Sequence, residues 1–133
     1  MFWFYPILAL SIKEIVGKIR LKNVRIHSNH GCLKEEMLIG SDYRVDLEIS
    51  TDLSQPSISD DLSETVDYVH LNNIIKEEMG VRSNLLEHVA KRISDRIFKE
   101  IPQVMEVEVE VAKINPPIGG DVESVAVILK NQR

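Results

Sequence analysis

At 133 residues the chain is long enough for one domain with a single core, and small for an enclosed substrate pocket. Its 44% hydrophobic and 28% charged residues are those of an ordinary globular protein. The net charge of −5, with Lys and Arg scattered, argues against nucleic acid as a partner, because backbone binding needs a basic face to release counterions. A lone cysteine, Cys32, excludes an internal disulfide and fits a reducing, cytoplasmic compartment.

In chain order, the opening MFWFYPILAL is apolar but too short to span a bilayer. It also lacks the positive charge that a secretory signal carries ahead of its apolar stretch. Residues 1–17 therefore read as an appended segment with no membrane partner implied, and 18–133 as the domain. Ile19–His27 alternates as a strand, with an irregularity near Asn23. His30 to Glu36 reads as a turn and loop. Tyr43–Thr51 is a second strand, with Tyr43, Val45, Leu47 and Ile49 on one face. Asp52–Ser63, rich in Ser, Asp and Pro, reads as an extended loop.

From Asp67 the period becomes helical. Leu71, Ile74, Ile75 and Met79 form one stripe stopped by Gly80, and Leu86, Val89, Ala90, Ile93 and Ile97 a second that ends before Pro102. The strands Met105–Lys113 and Ser124–Lys130 close the chain. The order ββααββ predicts an α+β fold, a four-stranded antiparallel sheet with both helices on one face. The other face carries Arg44, Asp46, Glu48, Glu106, Glu108 and Glu110. Either this is the solvated face of a monomer, or sheets join edge to edge between subunits into a barrel with a polar lumen.

Lys113 stands out. It shares the parity of Val107, Val109 and Val111, so it emerges on the buried face where the strand runs into Asn115-Pro116-Pro117. Either it snorkels from the sheet end to water, or it is a buried amine suited to proton transfer. Asn84-Leu85-Leu86-Glu87 has capping-box spacing, and Glu87 either serves as that cap or offers a carboxylate to a flat heterocycle beside the helix-terminal amides. Glu36 lies in a loop, and Tyr68 stands where the Thr65-Val66-Asp67 segment enters the first helix. His27, His30, His70 and His88 show no metal-ligand spacing, so no metal or other cofactor is implied.

Together, His30-Gly31 with Glu36, Thr65-Val66 with Tyr68, Asn84-Leu85-Leu86-Glu87 and Lys113 with Asn115-Pro116-Pro117-Ile118 resemble the dihydroneopterin aldolase family of folate biosynthesis over about residues 18–130. The resemblance implies the tunnelling fold, subunits closing into a barrel and two stacked rings forming a homo-octamer, with sites at subunit boundaries and neither metal nor Schiff base. It implies retro-aldol cleavage of 7,8-dihydroneopterin, with a 2′-epimerase or a non-catalytic pterin-binding ring protein as alternatives. Lys113 then corresponds to the general acid/base, Glu36 to its supporting carboxylate, and Tyr68 to a tyrosine from the neighbouring subunit. Glu87 corresponds to the pterin anchor, flanked by contacts from Leu86 and Val66. Ile118-Gly119-Gly120-Asp121 departs from the family's usual Ile-Pro-Gly-His.

Overall fold

The computed structural model describes residues 17–133. The expected extension over residues 1–17 lies outside them except for Gly17, which already belongs to the first strand. The elements are β1 (Gly17–Ser28), α1 (Lys34–Ile39), β2 (Ser41–Thr51), α2 (Ser54–Ser59), α3 (Tyr68–Met79), α4 (Leu86–Glu100), β3 (Glu106–Ile114) and β4 (Ser124–Gln132). All strand pairings are antiparallel and the spatial order is β1-β2-β3-β4. The expected ββααββ frame is thus present. Its core lies between one sheet face and the two long helices, where Val45, Leu47, Ile49, Val107, Val109 and Val111 meet Leu71, Ile74, Ile75, Val89, Ile93 and Ile97. No helix among the described residues is long and apolar enough to cross a membrane.

Two segments expected to be loop contain helix. In the first, Glu36 reaches back to accept the Leu33 N–H at 3.1 Å, closing a turn that becomes α1. In the second, the residues that suggested loop bond nearby backbone instead. Asp52 accepts the Ser54 N–H at 2.9 Å, Ser57 Oγ donates to the Leu53 carbonyl, and Asp60 in the left-handed region ends α2. Asp61 likewise caps a 3-10 turn at Leu62–Glu64.

The irregularity near Asn23 is a bulge. Pairing of β1 with β2 shifts between Leu21 and Val24, and Asn23 adopts φ 58° with its N–H donating to Asp46 Oδ1 at 2.7 Å. On the polar face, Asp46 stands opposite Glu110 and Glu48 opposite Glu108, like charges that would repel. Arg44 bonds both Asp46 and Glu110, while Lys18 and Arg20 approach Glu48 at 3.4 and 3.0 Å.

The bulge gives a test of the sheet register. Asn23→Val should lower stability by about 1–2 kcal/mol, because a β-branched residue resists the left-handed conformation, while Asn23→Gly should hold it. Denaturant unfolding measures both. Equal midpoints for valine and glycine would show that register does not depend on this conformation.

Candidate active site

Strand register places Lys113. It pairs with Tyr43 of β2, two residues beyond the buried pair Val111–Val45 and on the same face, and only 7% of it is exposed. The strand then ends at Ile114, and Asn115 just beyond it is held at φ 48° with its N–H donating to the Glu123 carbonyl at 2.8 Å. The Lys113 amine does not snorkel to water. Nζ donates to Glu36 Oε1 at 2.5 Å and to the His30 carbonyl at 2.9 Å, and lies 5.6 Å from the centre of the Tyr43 ring. The Tyr43 hydroxyl donates to the same carbonyl at 2.8 Å.

Glu36 comes from α1 and is 9% exposed. Burial alone would raise its pKa. The bonds from Lys113 and the Leu33 N–H, with the charges of Lys113 and Arg82, outweigh burial and hold the carboxyl below its ordinary range. Space for the pair depends on Gly31. Its φ is +131°, and a Cβ there would sit 2.0 Å from Glu36 Oε2 and 2.9 Å from Lys113 Nζ. His30-Gly31 was legible only as a motif; the close approach that requires glycine became visible with the fold.

His30 is fully buried, and sequence reasoning gave it no role beyond its place in the His30-Gly31 motif. Its Nδ1 accepts the Ser83 N–H at 3.0 Å, so Nε2 carries the hydrogen and donates to the Met79 carbonyl at 3.0 Å. Burial pushes its pKa below that of ordinary imidazole. The charges of Arg92, Lys113 and Arg82 reinforce this against the opposing Met79 bond. Among the described residues no group of three or more His, Cys, Asp and Glu could hold a metal ion.

The start of α4 lies beside this pair. Gly31 N–H donates to the Ser83 carbonyl at 3.0 Å, and Arg82 donates to the Gly31 carbonyl. The expected capping box does not form: the cap position is Leu85, no side chain bonds there, and Asn84 Oδ1 instead accepts from Arg82 at 3.2 Å. The chain turns into the helix one residue later than the Asn84 spacing implied, leaving exposed Glu87 second in α4 and untied by capping. Leu86 packs against the core edge. A cleft of about 390 Å³ opens here among Arg82, Ser83, Asn84, Leu85 and His88.

Val66 and Tyr68 lie elsewhere. Met79, at the end of α3, touches His30, whereas Tyr68 begins the same helix eleven residues earlier. At 1.5 Å per residue that is about 16 Å away. Tyr68 is 66% exposed there and Val66, just before it, is buried. One chain therefore brings Lys113, Glu36, Leu86 and Glu87 to one end and carries Val66 and Tyr68 at the other.

The antiparallel sheet with two helices on one face, bearing a buried lysine–carboxylate pair where β3 ends, is that of the tunnelling fold. A crystal structure of Escherichia coli dihydroneopterin aldolase in complex with neopterin superposes with a TM-score of 0.79 at 18% identity, over 86% of this chain and 98% of that one. A Burkholderia dihydroneopterin aldolase bound to guanine gives 0.72 at 19% identity, over 89% and 92%. Dihydroneopterin aldolase of Streptococcus pyogenes is 37% identical over 119 residues, covering 89% of this chain and all of the relative. The family model for FolB, dihydroneopterin aldolase, matches residues 19–130, and the chain belongs to that family.

Gly31 offers the sharpest test of the site's geometry. Gly31→Ala should destabilise by about 1–3 kcal/mol through strain at positive φ and displacement of the Glu36 carboxylate. Calorimetric unfolding reads this, and an unchanged melting temperature would contradict so close an approach.

Proposed function

We propose that the protein cleaves 7,8-dihydroneopterin by a retro-aldol reaction to 6-hydroxymethyl-7,8-dihydropterin and glycolaldehyde, a step of folate biosynthesis, with residues 18–133 as the catalytic domain. The observation that carries this reading is the Lys113 amine, buried against the Glu36 carboxylate beside the helix start that bears Glu87.

The chemistry asks for proton transfer. The 2′-hydroxyl of the substrate side chain gives up its proton, the C1′–C2′ bond breaks, and its electrons pass into the C6=N5 bond of the dihydropterin. Glycolaldehyde leaves with the new C2′ carbonyl, and C1′ is reprotonated to give the hydroxymethyl group. The substrate is its own electron sink, so the reaction needs neither a Schiff base nor a metal, and Lys113 has to move protons rather than form a bond. Glu36 holds and orients the amine. Glu87, untied by any capping bond, accepts from the 2-amino group and adjacent ring N–H of the pterin, with Leu86 against the ring. Neopterin and guanine, bound by the two relatives, present that same donor edge.

Tyr68 and Val66 complete the site from a neighbouring subunit, a reading supported by their distance from Lys113 within one chain. The open edges of β1 and β4 and the cross-paired charges of the polar sheet face suit closure into a barrel, in two stacked rings of a homo-octamer.

Chromatography of the pterin products after incubation with 7,8-dihydroneopterin tests the reaction. Lys113→Ala should lose most cleavage while still binding the product, whereas Glu87→Ala should weaken calorimetric binding by roughly 2–4 kcal/mol. An epimer as the main product would make the protein an epimerase, and unaltered affinity in Glu87→Ala would remove the anchor role. Trapping of substrate on Lys113 by borohydride would replace this mechanism with a Schiff-base one.

A further inference from the structure

His30 touches both halves of the site that one chain supplies. Its carbonyl receives the Lys113 amine and the Tyr43 hydroxyl. Its ring is held between the end of α3 and the turn that leads into α4, accepting from Ser83 N–H and donating to the Met79 carbonyl. Ser83 is fixed from the other side too. Arg92 of α4 donates to Ser83 Oγ at 2.9 Å and to the Val81 carbonyl at 2.7 Å, and Ser83 Oγ lies 2.8 Å from His88 Nδ1. Four residues beyond Ser83 stands Glu87.

We propose that His30 is a positioning residue whose ring, in the tautomer with hydrogen on Nε2, sets the Lys113 amine and the Glu87 carboxylate at the separation that aligns a bound heterocycle for proton transfer. The proposal rests on the roles given above to Lys113 and Glu87. A backbone N–H faces Nδ1 and a carbonyl faces Nε2, so only this tautomer satisfies both buried groups. A proton on Nδ1 would set two donors against each other and release the Ser83 turn. The charged and titratable groups around the ring discourage that proton: Lys113 of β3, Arg82 of the turn and Arg92 of α4 are cationic, Tyr43 of β2 is neutral, and Glu36 of α1 is committed to Lys113. Burial adds to their effect.

Three proteins decide the matter: wild type, His30→Leu, which loses the ring bonds to Ser83 and Met79 along with the weaker contact to Ser28 Oγ, and His30→Asn, whose amide oxygen can still accept from Ser83. His30→Leu should lower kcat on the order of 10- to 100-fold, as expected of a misaligned reacting pair, while the Kd for 6-hydroxymethyl-7,8-dihydropterin changes less than about threefold. His30→Asn should recover much of that rate. In the wild type, kcat should fall on the acid side of neutrality in step with His30 ring protonation followed by nitrogen-15 NMR, and His30→Asn should lack that limb. The proposal is overturned if folded His30→Leu keeps kcat within about twofold, or if kcat and affinity fall together. Should His30→Leu not fold, a wild-type kcat that stays level while NMR shows His30 protonated overturns it equally. Wild type without turnover would instead remove the functional reading, and this proposal with it.

Discussion

The contact between Lys113 and Glu36 is the constraint around which this chain is organised. Two ionic residues, each less than a tenth exposed, meet where a valine strand ends. Desolvating both charges costs several kcal/mol per ion, and their attraction offsets that only with good geometry and further hydrogen bonds. The surroundings supply those bonds: the His30 carbonyl for the amine and the Leu33 N–H for the carboxylate. A hydrophobic pair of similar volume would cost less to bury, so the pair is better explained by what an amine can do there than by stability.

Meeting that constraint shapes elements well away from the amine. α1 exists as a turn closed by Glu36 itself, and Gly31 keeps its positive φ because a side chain would occupy the carboxylate's position. The Asn115 turn ends β3 immediately beyond Lys113, and the Arg92 contacts fix the turn from α3 into α4. The fold thus holds one rigid half-site at the end of the sheet. Tyr68, exposed at the far end of α3, stands apart from that half-site within one chain.

Much of the frame was legible in the sequence because it rests on periodicity. Alternation along Tyr43–Thr51 and Met105–Lys113 gave the buried strand faces, and the parity of Lys113 with the valines gave its direction. Asn23 announced the bulge. What parity could not decide was whether the amine turned to water or inward, since that depends on a carboxylate 77 residues away. Local signals misled where side chains bond their own backbone. Ser and Asp in 52–63 read as loop yet bond the backbone of short helices, and the Asn84–Glu87 spacing read as a capping box although Leu85 takes the cap position. The surroundings of His30 were hidden for the opposite reason: besides the nearby Ser28 hydroxyl, its ring bonds go to backbone groups about 50 residues distant, which leave no pattern in the sequence.

The most direct measurement is a carbon-13 NMR titration of the Glu36 carboxyl in the wild type and in Lys113→Met. With its pKa depressed in the folded state, Glu36 adds stability that is present above the ordinary carboxylate value and lost as pH falls through the folded one. The wild-type carboxyl should therefore titrate below the ordinary range. In Lys113→Met the burial remains while the amine's bond and charge are gone, so the titration should move upward and acid sensitivity should weaken. A carboxyl that titrates at the same pH in both proteins would show that the two groups are not coupled, and the account of the site built on their pairing would fail.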